Sequence, residues 1–283
     1  MSLKKEKIHL QQSILVGFLV GFGALVVSVL IDSGFQFHAL IAFFNLSAMI
    51  IIFGGLLGVL LIAFPMRHIR EIPTALLKAF GDYKDIDQVE MSMQILSLAQ
   101  KSRQEGILAL ESNLPDVSDL WLRRSLQRVA DGLDREIIQN IMDVELEEFS
   151  RKIRIGSHIF TSIGGYAPTL GIIGTVMGLV HMLASIEDAN KLGAAIAVAF
   201  LATFWGILSA NMIFLPIAER VKSRDNDIIS TRKAMIEGIL SIQAGEPVRI
   251  IEEKLKVFMT GEMEIDFTER QQASGGGRNK ELT

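Results

Sequence analysis

The stretch Ile163-Gly164-Gly165-Tyr166-Ala167-Pro168-Thr169-Leu170-Gly171-Ile172-Ile173-Gly174-Thr175-Val176-Met177-Gly178-Leu179 opens an apolar run that reaches residue 186, and residues 192–216 repeat its character. Both runs hold glycine, threonine and proline. Asp and Glu are absent from 39–69, 155–186 and 192–218. Ionisable groups inside a membrane mark ion paths because they are costly there and kept only for use. These runs are built to line such a path, yet the group that would hold the charge must come from another chain.

A helix needs about 20 mainly apolar residues to cross a bilayer. The chain offers four such stretches: 10–31, 39–64, 159–186 and 193–218. None is followed by a convincing small-residue cleavage site, so the first is read as a retained anchor. Positive residues stay on the cytoplasmic side of a span. Lys4, Lys5 and Lys7 precede the first stretch, Arg67 and Arg70 follow the second, Arg151, Lys152 and Arg154 precede the third, and Arg220, Lys222 and Arg224 follow the fourth. The opposite loops carry little more than Asp32 and, in the other, Glu187, Asp188 and Lys191. Both termini are therefore expected in the cytoplasm. The fold class is an all-α integral membrane protein, with four transmembrane helices and a helical cytoplasmic domain.

The formal charge of −4 says nothing for nucleic acid, since the basic residues are distributed as topological markers. Membrane lipid is the expected surroundings. With no cysteine, disulfides and thiol chemistry are excluded. His158 and His181 sit near opposite ends of the third span, too far apart at about 1.5 Å per residue to share a ligand. No nucleophile, base and orienting group converge on a recognisable motif, so no enzyme, cofactor or metal is expected.

Five segments follow. Residues 1–64 hold the N-terminal tail and first two spans, 65–155 a cytoplasmic helical segment, 156–218 the third and fourth spans, 219–261 the C-terminal cytoplasmic helices, and 262–283 a tail. Ile137, Ile138, Ile141, Met142, Leu146, Phe149 and Ile153 recur at helical spacing, on a helix that runs into the third span. Asp87 starts a helix through 89–104; Pro115 with Asp116 and Ser118 marks a break and a new start. Ile228, Ile229, Met235, Ile236, Ile239 and Leu240 form another apolar stripe, and Pro247 opens a short helix over 248–258. The tail, with its Gly275-Gly276-Gly277 run, is expected to be disordered.

Helical spacing puts Gly171, Thr175 and Gly178 on one face of the third span and Ala199, Ala202, Thr203, Gly206 and Ala210 on one face of the fourth. Small residues at these spacings ordinarily serve close helix packing in lipid. The hydroxyls of Thr175 and Thr203 can do more if they face water: coordinate a cation or hold a solvent molecule. Pro168 and Pro216 each end or kink a helix near the cytoplasmic boundary, or act as hinges.

The 164–179 stretch, together with residues 200–216, resembles the pore helices of flagellar stator A subunits, the MotA/PomA family within the MotA/TolQ/ExbB superfamily. Lys101-Ser102-Arg103-Gln104-Glu105-Gly106-Ile107-Leu108-Ala109-Leu110-Glu111 resembles that family's rotor-facing motif, and Glu237-Gly238-Ile239-Leu240-Ser241-Ile242-Gln243-Ala244-Gly245-Glu246 its C-terminal cytoplasmic motif. Matching positions run from about 14 to 258. The resemblance implies that Arg103 and Glu111 engage the rotor's switch protein, that Pro168 and Pro216 couple ion flow to movement, and that Thr175 and Thr203 lie on the ion path. On an uninterrupted helix Arg103 and Glu111 would lie within about 80° of each other around the axis. An ordinary solvated face would also explain them.

The same resemblance implies an ion-conducting stator subunit of the bacterial inner membrane that couples proton (or sodium) flow to torque. Its copies would form a homopentamer around a dimer of a single-span, aspartate-bearing B subunit anchored to peptidoglycan. Two alternatives stay open: an ion-driven energiser of the ExbB/TolQ kind, and a non-conducting scaffold whose glycine faces serve only oligomerisation.

Overall fold

The computed structural model describes residues 2–81, 86–184 and 189–276. The end of the third span, Glu187 and Asp188, and residues 277–283 of the tail lie outside the described residues, as do the side chains of Lys4, Lys5, Lys7 and Lys191. Besides the single turn Met66–Ile69, the α-helices are, in chain order, α1 (Ser2–Asp32), α2 (Leu46–Ala63, with a π-helical turn at Ile50–Gly54), α3 (Ile72–Phe80), α4 (Gln88–Glu105), α5 (Leu120–Ala130), α6 (Arg135–Ile153), α7 (Ile155–Ala184), α8 (Ala189–Ser209), α9 (Leu215–Gln243), α10 (Val248–Lys256) and α11 (Gly261–Gly276). No strand occurs among the described residues. The described residues divide into two compact units, one from Met1–Tyr83 with Arg154–Arg224, the other from Lys84–Ile153 with Asp225–Thr283.

The first unit holds the membrane-crossing helices. Three stretches are long and apolar enough to span, Leu46–Ala63 and windows within Arg135–Ala184 and Leu192–Gln243; a fourth is counted if Val16–Asp32 and Phe37–Phe43, which meet at 116°, form one. That bend follows from Gly34 and Phe35, whose φ values of 67° and 64° lie in the left-handed region. The second span is shorter than the expected 39–64. Residues Phe37–Phe43 form a 3-10 helix, and Asn45 starts α2 afresh by accepting from the Ala48 amide at 3.1 Å. The 3-10 helix is held by Trp205, whose Nε1–H donates to the Phe43 carbonyl at 2.7 Å. At about 1.5 Å per residue the remaining 18 residues still cover most of a bilayer's hydrocarbon.

Ala48, Ile52, Leu56 and Leu60 of α2 pack on Ile159, Ile163 and Ala167 of α7 and Ala202 of α8. Amphipathic α3 belongs to this unit, so the boundary expected at residue 65 falls later in the chain. Its Ala75 and Ala79 lie buried with Phe160, Ile217, Ala218 and Val221, close enough to α7 that a Cβ on Gly156 would come within 2.7 Å of the Ala75 Cβ.

The second unit is a helical bundle around one core. Ile138 and Met142 of α6 and all six stripe residues from Ile228 to Leu240 are buried. Asp87 caps α4, accepting from Val89 and Glu90 amides at 3.0 and 3.1 Å. The new helical start after Pro115 comes at Asp119, which accepts from the Leu122 amide at 2.7 Å, and Pro247 precedes α10 as expected.

The expected disorder of 262–283 is overturned for 262–276, which are helical. Phe267 is fully buried among Ile95, Ile251 and Leu255, Lys256 lies over its ring at 5.7 Å, and Arg270 pairs with Asp87 at 3.3 Å and Asp266 at 2.8 Å. One large apolar side chain on a polar helix is enough when a cavity awaits it. Phe267→Ala should cost about 3–5 kcal/mol, read as a lowered unfolding midpoint of the full chain. Truncation after 276 should leave the midpoint unchanged, whereas truncation after 260 should lower it by at least as much as the point substitution.

Candidate functional site

Helices α7 and α8 lie so close that several glycines admit no side chain. A Cβ on Gly206 would stand 2.6 Å from the Ala167 carbonyl oxygen, one on Gly171 3.1 Å from Thr203 Cα, and one on Gly178 2.9 Å from the Ala195 carbonyl oxygen. Ala195, Ala199, Ala202, Gly171, Gly174 and Gly178 are all buried. In lipid the apolar effect does not favour one helix partner over acyl chains, so attraction must come from dispersion and polar contacts at short range. The small residues expected on both faces therefore serve packing between spans three and four of the same chain.

This approach sets Thr175 against Thr203. Their hydroxyls hydrogen-bond to each other. Thr175 Oγ1 lies 3.1 Å from the Gly171 carbonyl and 3.2 Å from that of Ala199, while Thr203 Oγ1 lies 3.2 Å from Gly171 O and 3.5 Å from Ala199 O. Each hydroxyl thus has its own i−4 carbonyl and the facing helix's carbonyl within reach. Two hydroxyls and two carbonyls form one oxygen cluster, half-buried in a wall with no acid. Each hydroxyl has one proton to donate and several acceptors to choose from, so either can turn without leaving its proton unsatisfied. The spacing of the two threonines was legible in the sequence; their reciprocal sharing of carbonyls was not.

Pro168 lies inside α7 without breaking it, and the helix runs unbroken from Ile155 to Ala184. Pro216 does not end a helix either. Residues Ala210–Phe214 form a π-helical turn in which the Leu215 amide reaches back to the Ala210 carbonyl, and α9 continues through the proline. The wider turn moves a carbonyl away from the pyrrolidine ring that an α-helical register would drive into it. The two proline-bearing turns touch: a Cβ on Gly164, one turn before Pro168, would come within 2.6 Å of Leu215 Cδ2.

In the second unit, the uninterrupted helix on which Arg103 and Glu111 would share a side does not exist. Gly106 has φ 90°, α4 stops at Glu105, and Ile107–Asp116 is a 3-10 helix. Lys101 bridges the bend to Asn113, which in turn donates to the Ala109 carbonyl at 2.8 Å. Arg103 and Glu111 are both exposed, on either side of the bend, and neither enters an ion pair or side-chain hydrogen bond among the described residues. Leu108, between them, is 73% exposed.

Two clusters escaped sequence reasoning. Glu145 accepts from Trp121 Nε1 at 2.7 Å and from Arg128 at 2.6 Å, and the Arg232 guanidinium lies over the Trp121 and Phe149 rings at 4.9 and 4.2 Å. The signal was a lone tryptophan in a charged helix. The second lies at the ends of the motif from Glu237 to Glu246: Lys254 Nζ meets Glu237 at 2.8 Å and Glu246 at 2.9 Å, fastening α10 to the end of α9.

Hydrogen bonds that Lys254 donates to Glu237 and Glu246 raise its pKa above its ordinary 10.5, and the one to Glu246 lowers that carboxyl's pKa below 4.5. A depressed carboxyl stabilises above its unfolded value and loses that contribution as pH falls toward its folded one; a raised lysine does the reverse at the alkaline end. The stability difference between the native chain and Lys254→Met should therefore be flat between pH 4.5 and 10.5 and shrink outside that window. Unfolding midpoints across pH measure it. In the membrane unit, Gly206→Ala should lower the midpoint, overpacking costing about 1–3 kcal/mol. Gly165→Ala, where a Cβ meets nothing within 4 Å, should be neutral or better.

Comparison with known proteins fits this geometry. Residues 113–234 match the MotA/TolQ/ExbB proton channel family. Motility protein A of Bacillus subtilis is 35% identical over 267 residues, 94% of this chain and 97% of that protein. Motility protein A of Borreliella burgdorferi is 32% identical, over 87% of this chain and 93% of its own. A chain of the flagellar MotAB stator complex from Bacillus subtilis superposes with a TM-score of 0.77 at 34% identity, covering 89% of this chain and 98% of that one. The chain belongs to the MotA/TolQ/ExbB proton channel family, on its Motility protein A branch.

Proposed function

We propose that this chain is the ion-conducting A subunit of a flagellar stator in the bacterial inner membrane, turning ion flow into torque on the rotor. The carrying observation is the oxygen cluster of Thr175, Thr203, Gly171 and Ala199 in a membrane wall free of acids. Such a wall offers polar contact at one level and cannot titrate. The charge comes from an aspartate on a B subunit, as the likeness to a MotAB complex supports. An unpaired carboxylate in hydrocarbon is expensive, by about 2.5–3.5 kcal/mol even on the mildest scale, so it settles beside an oxygen cluster when charged and is released when neutral. In a homopentamer around a B-subunit dimer, with both termini cytoplasmic and the B subunit held by peptidoglycan, loading and unloading of that aspartate favours successive neighbours in turn. Each ion yields about 2.3 kcal/mol per 100 mV, so many must pass per turn.

Coupling is assigned to the touching proline turns at Pro168 and Pro216, since the chain passes between its two units at 153–154 and 224–225, next to both spans. Arg103 and Glu111, exposed on either side of the Gly106 bend, form the surface offered to the rotor switch protein. The ion proposed is the proton, in keeping with the family's description, with sodium as the alternative. An ExbB/TolQ-type energiser is less well supported, because likeness to Motility protein A extends over 94% of the chain.

Thr203→Val should abolish ion flux while Thr203→Ser retains most of it, both assembling normally; undiminished flux in the valine variant would sink the pore-lining role. Glu111→Lys should reduce torque on tethered cells and leave flux through an isolated stator unchanged. Swimming speed should survive replacement of sodium by potassium and fall with a protonophore; the opposite pattern assigns sodium.

A further inference from the structure

In the second unit one cation has no acid of its own. Arg232, on α9, is half-buried, its Nε is shielded from solvent, and it enters no hydrogen bond or ion pair among the described residues. Its guanidinium lies instead over the rings of Trp121 on α5 and Phe149 on α6, 4.9 and 4.2 Å from their centroids. Both distances are within reach of cation–π attraction. The acids that act on it, Asp119 and Glu145, are engaged elsewhere. Asp119 caps α5 through the Leu122 amide at 2.7 Å, and Glu145 accepts from Trp121 Nε1 at 2.7 Å and from Arg128 at 2.6 Å. Glu145 of α6 thus fixes the edge of the indole and Arg232 of α9 its face, so three helices meet at one side chain of α5.

The position of this junction gives it a use. Phe149 stands about one turn before the chain crosses between units at 153–154, and Arg232 about two turns after the crossing at 224–225. Both helices that continue the spans therefore meet Trp121 soon after entering the second unit. Two residues further along α5, Arg123 donates from Nε to the Val117 carbonyl at 3.1 Å and from Nη2 to the Pro115 carbonyl at 3.4 Å. Those carbonyls close the 3-10 segment Ile107–Asp116. Leu110 and Leu114 of that segment share a core with Leu122 and Leu126 of α5, while its Leu108 and Glu111 are exposed. Helix α5 is tied at one end of this chain of contacts to α6 and α9, and at the other to the segment that carries Glu111. Packed side chains and hydrogen bonds in such a series are what can carry movement between distant groups.

We propose that α5 is the lever of the second unit: the contacts of Arg232 with Trp121 and Phe149 carry movement of α6 and α9 into α5, and Arg123 passes it to the 3-10 segment. This rests on the stator reading above and names the residues that transmit force within the chain. Stacking suits such a joint, because a guanidinium stays charged and holds an aromatic face without needing a fixed acceptor. A lysine, a compact point charge, cannot make the same planar contact with two rings.

The test is the torque that each full stator adds to a bead-loaded motor as it joins, set against ion flux through the same complex in proteoliposomes. Arg232→Met, which keeps side-chain length and removes the charge, should lower torque per stator at stall. It should leave ion flux and speed near zero load at native values, since a yielding joint matters only under load. Trp121→Phe, which keeps a ring for Arg232, should retain most of the torque, and Trp121→Leu should lose it. If Arg232→Met does not assemble, Arg232→Lys should show the same loss in milder form. Arg123→Met should also lower stall torque, and combining it with Arg232→Met should cost no more than the worse single change, as for links in one series. Residues that only stabilise the chain would reduce the number of stators, each with native torque. That outcome, losses that add in the double variant, or flux that falls with torque would each overturn the proposal. Absence of flux through the native complex would overturn the stator reading with it, whereas native flux with undiminished torque in the variants would overturn the lever alone.

Discussion

The membrane unit depends on how closely α7 approaches α8. Gly171, Gly174 and Gly178 face Ala195, Ala199, Ala202 and Gly206 at separations that leave no room for a methyl group. Only at that distance can Thr175 reach the Ala199 carbonyl and Thr203 that of Gly171. Van der Waals contact between small residues and shared hydroxyl bonds are what lipid leaves available to hold two helices together. Here the same contacts assemble the polar cluster that the proposed function uses. Packing and site are one feature, so the small-residue faces need no second explanation.

The prolines extend this constraint. Pro168 and Pro216 interrupt the hydrogen-bond ladders of two helices without ending either, and Gly164 against Leu215 sets the interrupted turns side by side. A register change costs less where a donor is already missing. The π turn at Ala210–Phe214 is therefore where the fourth span can change its twist.

Much of this was legible in the sequence because membrane and core signals are strong. Apolar length gave the spans, apart from the second, whose start was hidden because Phe37–Phe43 is as apolar as the helix that follows Asn45. The stripe from Ile228 to Leu240 and the cap at Asp87 follow from helical period and side-chain chemistry. Three features did not follow. A single glycine at 106 inside a helical pattern looks tolerable, and only its φ of 90° reveals the bend that separates Arg103 from Glu111. Residues 262–276 look too polar to pack, yet Phe267 fills a cavity made by distant segments, and the Arg270 to Asp87 contact spans 183 positions. The ion path was only half visible: helical spacing put two threonines on facing sides, while their shared carbonyls depend on a separation that no local pattern encodes.

The central claim is a division of labour, in which this chain supplies an acid-free polar wall and a partner supplies the carboxylate. Ion flux into proteoliposomes under an imposed potential tests it directly. The chain alone should not conduct, the chain with its B subunit should, and replacing the B subunit's intramembrane aspartate by asparagine should return flux to the level of the chain alone. Conduction by this chain without a partner, or undiminished conduction with the asparagine variant, would contradict the account.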